Sequence, residues 1–264
     1  MKNLKSLEEQ SLKDQPMKRN GEKKMQKKRI IAVIPARGGS KSIPKKNIVE
    51  VQGVPLIAFT IKTALKSKLI DRVIVSTDSE EIAATARKYG AEVPFIRPAE
   101  FAQDSTPDLP VFKHAVEWLE KNERYRADIV LNLRPTTPFK TAEDIDNAIR
   151  IALDTDCDAV RSFVKVEDHP YWMYWVKDDK SGNKAEPFIK DKSAKEYPRR
   201  QLLPPVYFLN GCVEVMTARN LKKGVLYGED MRAYIMPAER SLDIDTPEDL
   251  EMFKIQLKIR KLKR

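Results

Sequence analysis

The chain is poor in the side chains that usually do covalent or redox chemistry, with two cysteines and two histidines in 264 residues. Cys157 and Cys212 match no metal or redox spacing and read as reduced thiols. No serine or cysteine stands out with a partnered histidine, which argues against acyl-enzyme catalysis. Long apolar runs are missing too: none could span a bilayer, and no apolar segment near Met1 resembles a secretory signal, so the expected compartment is the cytoplasm. Internal repeats are absent, and low complexity is confined to the ends. What remains is a length and an apolar fraction sufficient for a sizeable core, one main domain plus an insertion.

A net charge of +10 invites a nucleic-acid reading, but its location argues otherwise. Residues 1–29 carry +6 and residues 254–264 another +6, leaving −2 for residues 30–253. The folded core is therefore not basic. The leader at 1–29 and the tail at 254–264 read as solvated ends, the leader as disordered. A polyanion-binding protein working through those ends is the reading from a different class, and the near-neutral core speaks against it.

The rest of the chain is organised around residues 30–47, I-I-A-V-I-P-A-R-G-G-S-K-S-I-P-K-K-N. A short β-branched run predicts a buried parallel strand. It breaks at Pro35 into a loop with Arg37, Gly38, Gly39, Ser40, Lys41, Lys45 and Lys46. Adjacent glycines permit a sharp turn and close approach to a ligand, and clustered cations at a strand's carboxyl end suit a polyphosphate. Neither the G-x-x-x-x-G-K-S/T loop nor the G-x-G-x-x-G fingerprint fits, which argues against a kinase, an ATPase or a dehydrogenase. The plainer alternative is a glycine turn with solvated lysines.

Further along, Pro55 predicts the first turn of a helix through about Lys68 with Leu56, Phe59, Thr60, Ala64 and Leu65 on one face. Residues 72–76 predict a strand, and Thr77 or Asp78 the cap of the next helix. A short strand is expected near 93–96, then a helix after Pro107 and Asp108 with Leu109, Phe112, Val116 and Leu119 inward. His114 on that helix reads as a surface or satisfied core histidine. Strands follow at 128–133 and 158–165, flanking a helix that starts at Thr141 with Asp144 at capping-box spacing. Alternating strands and helices predict an α/β fold with a parallel sheet. Residues 166–205 break the pattern: Tyr171, Trp172, Tyr174 and Trp175 precede a polar turn around 180–184, and such aromatic density points to a partner subunit. Strands return at 206–208, 211–216 and 233–236. Near the end, S-L-D-I-D-T-P-E-D-L alternates Asp243, Ile244 and Asp245, so both carboxylates face one side.

A cationic glycine loop and paired carboxylates suit a phosphate–Mg²⁺ site, with Mg²⁺ shared between protein and phosphate oxygens. Such chemistry works by positioning and electrostatics, without a covalent protein intermediate. A solvated acidic strand end is the bland alternative for D-x-D alone.

Several blocks in order resemble the acylneuraminate cytidylyltransferases: the loop at 36–47, S-T-D, R-P-A-E-F-A-Q-D-S, L-R-P-T-T-P-F-K, P-R-R-Q-L with N-G, and L-D-I-D-T-P-E-D-L. The resemblance runs from Ile30 to about Phe253. It implies a Rossmann-like nucleotidyltransferase with a mostly parallel sheet, a core over 30–165 and 206–253, and a small dimerisation insertion over 166–205 that forms a homodimer through Tyr171 to Trp175. It implies attack by a 2-keto nonulosonic acid on CTP, giving a CMP-sugar and pyrophosphate. It places Arg37, Gly38, Gly39, Ser40, Lys41, Lys46, Asn47, Arg97 and Asp108 on the nucleotide, with Arg37, Lys41, Lys46 and Asp245 catalytic. Asp243 and Asp245 become Mg²⁺ ligands, and Arg134, Thr136, Thr137, Trp172, Arg199, Phe208 and Asn210 fall in the sugar region.

The departures carry information. Arg134 stands where the family pattern has Gln, Trp172 where a Lys can occur, and Phe208 where R-P-N-G is usual. Arg134 is thus expected to take part of the carboxylate-binding role, for a less polar sugar than N-acetylneuraminate, of legionaminate or pseudaminate type. Asp108, expected near the base, leaves GTP as an alternative to CTP, and a sugar 1-phosphate is the alternative acceptor.

Overall fold

The structure, a computed structural model, describes residues 27–179 and 182–262. The basic leader lies outside these apart from Lys27, Lys28 and Arg29, and so do Lys180 and Ser181 of the expected polar turn. Lys27 and Lys28 pair with Asp71 and Asp156, and the Arg29 amide donates to Asp128, which fixes the entry into the first strand.

Among the described residues, ten strands and six α-helices follow in order: β1 Ile30–Pro35, β2 Glu50–Val51, β3 Val54–Pro55, α1 Leu56–Ala64, β4 Arg72–Ser76, α2 Glu80–Lys88, α3 Asp108–Glu123, β5 Ile129–Asn132, α4 Ala142–Thr155, β6 Ala159–Lys165, β7 Tyr174–Asp179, β8 Gly182–Pro187, β9 Tyr207–Thr217, α5 Ala218–Lys222, β10 Met231–Met236 and α6 Pro247–Leu262. The main sheet has the order β10-β6-β9-β5-β1-β4. Five of its strands run one way, and β9 alone is antiparallel to its neighbours β5 and β6. β1 is buried on both faces, as its unbroken I-I-A-V-I requires in a sheet covered by helices on each side. The chain leaves β1 for β4 on one side and later adds β5 on the other. That reversal opens a crevice at the carboxyl ends, where the loops after β1, β4 and β5 converge.

Local expectations hold where side-chain chemistry is self-contained. Thr141 and Asp144 form the complete capping box of α4. Others are corrected. The cap of α2 is Ser79, whose hydroxyl accepts from the Ile82 amide, while Thr77 accepts from the Ser79 amide one turn earlier. α1 is shorter than the pattern, and Leu65 is half exposed beyond its end. The strand expected at 93–96 reduces to a single bridge between Glu92 and Ile74. The two strands expected at 206–208 and 211–216 form one, β9, running through Gly211 in a left-handed conformation with a register shift against β6. The basic segment beginning at Lys254 continues α6 to Leu262 rather than leaving the fold as a separate tail.

α6 docks through Phe253, fully buried and edge-on to Phe59 and Phe139 at 5.2 and 5.0 Å. Leu250 and Ile244 join the same cluster, so this contact seats the acidic strip that precedes the helix. Truncating Phe253 to Ala is expected to cost about 3–5 kcal/mol in urea denaturation. Ile259→Ala, on the exposed face of the same helix, is expected to stay within about 0.5 kcal/mol.

Candidate active site

The crevice is a cleft of about 520 Å³ whose walls include Arg37, Ser40, Lys41, Lys46, Asn47, Arg97, Asp104, Asp108, Arg134, Thr136, Asp243 and Asp245. The first and last functional blocks of the chain therefore meet in one space. The loop after β1 is fixed from beneath: the Ala36 amide donates to Ser76 O, and Asn47 Nδ2 donates to Arg37 O at 2.9 Å. Neither Gly38 nor Gly39 is left-handed; the residue that turns the loop is Lys45, at φ 52°. Gly38 instead answers to crowding, since a Cβ there would lie 3.2 Å from Ser79 Cβ, and its amide donates to Asp78. Gly39 faces open space, and neither glycine belongs to the cleft wall.

The cations are arranged unevenly. Arg37 and Lys41 both pair with Asp104, a bridge that the sequence reading missed. These two cations hold Asp104 below the usual carboxylate range, Lys41 having the larger effect. Lys46, mostly buried, donates to Ile244 O at 3.0 Å and to Asp245 at 3.2 Å. Lys45 points elsewhere, to Glu81. Arg97 is 4% exposed, and its Nε and one terminal nitrogen have no hydrogen-bond partner among the described residues. Burial pulls its pKa down, with Asp78 at 3.9 Å opposing. His114 packs edge-on against Phe95 at 4.7 Å, as a core histidine would, though its Nδ1 is unpartnered among the described residues.

A second cavity of about 280 Å³ adjoins the cleft and shares Arg134 and Asp243 with it. Phe208, Asn210, Arg161 and Glu214 lie in its wall. Arg134 pairs with Asp108 at 2.6 Å and lies 3.5 Å from Glu214; burial opposes its charge, and these carboxylates outweigh that. Asp108, expected near the base, is in the cleft wall and is Arg134's partner. Glu214 is fully buried and also accepts from Arg161 and Asn132. An acid inside the apolar G-C-V-E-V-M strand was the available signal for it. Asn210 offers little to a ligand: its Oδ1 accepts from Ser162, and its amide donates to Ser241. Thr137 is buried beneath the wall and donates to Arg134 O, whereas Thr136 is in the wall itself.

Trp172 and Arg199 are in the wall of neither cavity. Trp172 Nε1 donates to Tyr197 O, within the insertion. Asp243 and Asp245 are in an extended segment outside any strand, yet both reach the cleft because Ile244 between them is buried.

The match to the family described as Cytidylyltransferase covers residues 31–258. The chain belongs to the cytidylyltransferase family. A CMP-N,N'-diacetyllegionaminic acid synthase of Legionella pneumophila is 36% identical over 225 residues, spanning 84% of this chain and 93% of that protein. A pseudaminic acid cytidylyltransferase of Campylobacter jejuni is 31% identical over 242 residues, spanning 87% and 96%. Among solved structures, a CMP:2-keto-3-deoxy-manno-octonic acid synthetase complexed with CTP superposes with a TM-score of 0.65 at 18% identity, over 88% of this chain and 99% of that one. A 4-diphosphocytidyl-2C-methyl-D-erythritol synthase from Anaerococcus prevotii gives 0.58 at 18% identity, over 88% and 96%. These two bear on the fold, which is a nucleotidyltransferase fold with a mostly parallel sheet. The chain is a nucleotidyltransferase, and no described helix is long and apolar enough to cross a membrane.

Beneath the cleft wall Lys140 is buried, and burial pushes its pKa down from 10.5 to about 8. Between those values the unfolded chain binds more protons at this group than the folded one. Lys140's contribution to stability therefore rises with pH across that window. The denaturation free energy of the wild type relative to Lys140→Met is expected to increase from pH 7.5 to pH 10 (about the window just named). A flat difference would contradict a buried, destabilised ammonium.

Proposed function

We propose that the protein joins CTP to a nonulosonic acid of legionaminate or pseudaminate type, giving the CMP-sugar and pyrophosphate. The observation that carries this reading is the one cleft in which Arg37, Lys41 and Lys46 face Asp243 and Asp245, with Arg134 and Asp243 shared between it and a second cavity. The names of the relatives from Legionella and Campylobacter support the sugar class. In this reading Arg37, Lys41 and Lys46 hold the triphosphate and stabilise the departing pyrophosphate, releasing Asp104 and Asp245 as phosphate oxygens replace them. Arg97, buried with unused donors, reads the base. The second cavity takes the sugar, and Arg134 offers its unpartnered Nε–H to the acceptor's carboxylate. The anomeric oxygen then bonds to the α-phosphorus as the α–β phosphoanhydride breaks, the hydroxyl proton leaving to solvent.

The residues fit Mg²⁺. Asp243 Oδ1 is buried without a partner among the described residues, and the exposed Asp245 carboxylate lines the same cleft. These two would hold the ion, which when bound neutralises phosphate charge. Phe208, 63% exposed in the wall of the second cavity, suits a less polar sugar face than a cation would.

The same proposal includes a cytoplasmic homodimer. β7 and β8 form a two-stranded ribbon outside the main sheet, and Trp175, Val176 and Phe188 are exposed on it at 56%, 66% and 46%. An isolated ribbon with such a surface needs a partner. Trp172 and Arg199, outside their own chain's cavities, would serve the second subunit's site.

Pyrophosphate release with CTP and a panel of nonulosonic acids tests the reaction. Diamino acceptors are expected to exceed N-acetylneuraminate, and Asp245→Asn to lower kcat by roughly 10²-fold or more. Release with GTP but not CTP, or with sugar 1-phosphates only, would overturn the reading. In analytical ultracentrifugation the wild type is expected at twice the chain mass and Trp175→Lys at the chain mass.

A further inference from the structure

Lys140 enters none of the roles above, yet burying its charge is costly. It is 2% exposed, and its ammonium donates to Thr137 O at 2.6 Å, Arg134 O at 2.8 Å and Thr60 Oγ1 at 3.2 Å. All three protons are used, and all three acceptors are neutral. No carboxylate is within ion-pair distance of it among the described residues; Asp243 and Asp144 favour its charge only from farther off, and burial outweighs them. A methionine of similar bulk would fill the space without that cost.

The acceptors explain why a cation stands there. Arg134 O also receives the hydroxyls of Thr60 and Thr137, both at 3.2 Å, so three side chains converge on one carbonyl. That carbonyl belongs to the residue shared by the two cavities. The loop it begins continues to Thr136, whose own carbonyl accepts from the Ile244 amide at 2.9 Å. Ile244 lies between Asp243 and Asp245. Lys140 thus anchors, from below, a backbone path that runs from Arg134 to the acidic strip.

We propose that Lys140 is a positioning residue of the active site: its ammonium fixes the backbone of residues 134–137 and so sets where Arg134 and the Asp243–Asp245 strip stand relative to each other. This rests on the cytidylyl-transfer reading for its kinetic consequence and on geometry alone for the backbone order. Arg37, Lys41 and Arg97 make no contact with Lys140 or with the 134–137 backbone in the hydrogen bonds described; Lys46 alone of the nucleotide-side cations meets the anchored path, through Ile244 O and Asp245, so most of nucleotide binding stands apart from this anchor.

The test uses the full chain, with Lys140→Met, Lys140→Gln and Thr60→Val, the last removing the hydroxyl that lies between Lys140 and Arg134 O. CTP and acceptor are varied separately in pyrophosphate release, and amide hydrogen exchange is followed in the same proteins. For Lys140→Met, kcat/KM for the acceptor is expected to fall roughly 10²-fold, the cost of a misplacement near 1 Å, while KM for CTP stays within about threefold. Lys140→Gln, which keeps N–H donors, is expected to recover part of the loss. Exchange at residues 134–137 and at Ile244 is expected to accelerate while the amides of β1 and β5 keep their protection. If Lys140→Met does not fold, Thr60→Val decides, with a smaller loss of the same kind. Unchanged acceptor kinetics with unchanged exchange in a folded variant, or equal losses for CTP and acceptor, would overturn the proposal. A wild type that releases no pyrophosphate from CTP with any acceptor would sink the functional reading instead, and the exchange measurements would still decide the role of Lys140.

Discussion

One buried residue, Ile244, joins the two ends of the site. The Ile244 amide donates to Thr136 O, its carbonyl accepts from Lys46, and its side chain is fully buried in the cluster around Phe253. These interactions hold the backbone on either side, and Asp243 and Asp245 stand in the cleft that the loop after β1 lines with cations. Without that crosspiece the acidic strip would be a solvated segment ahead of a helix. With it, two carboxylates and a lysine nearly 200 positions earlier share one space.

The cleft stores its charge by self-pairing. Arg37 and Lys41 share Asp104, Lys46 meets Asp245, and Arg134 lies between Asp108 and Glu214. A ligand phosphate or carboxylate then exchanges one anion for another, and the cations need not reorganise in water to receive it. In the cleft wall, the Nε and one terminal nitrogen of Arg97, 3.9 Å from Asp78, and the Nε of Arg134 are buried donors without hydrogen-bond partners among the described residues. Leaving a buried donor unpaired costs about 1–3 kcal/mol, which a bound acceptor at either position would offset.

How much of this was legible varied with range. The β-branched run of β1, the capping box at Thr141 and Asp144, and the alternation around Ile244 are local patterns, and each appears in the fold as its spacing predicts. Boundaries moved where tertiary contacts outbid propensity. Residues 93–96 kept only one bridge to the sheet edge, and Gly211 let a single strand run through what reads as a gap. The glycine pair does not make the turn its composition suggests: Gly38 serves close packing against Ser79, and Lys45 makes the left-handed turn.

The sequence by itself determined the fold class, the cationic loop at a strand's carboxyl end and the presence of an acidic strip, because each is written in neighbouring residues whose periodicity or charge needs no distant partner. Only the tertiary structure decided who pairs with whom. It paired Asp108, in the cleft wall, with Arg134 and set Asp104 between Arg37 and Lys41. It engaged Asn210 with two serines and kept Trp172 and Arg199 out of both cavities. The reason is geometric. Charges 26 or 67 positions apart meet only when the loops of several strands converge on one end of the sheet. Which of those side chains face one another follows from how the helices pack the strands together, which no local pattern encodes.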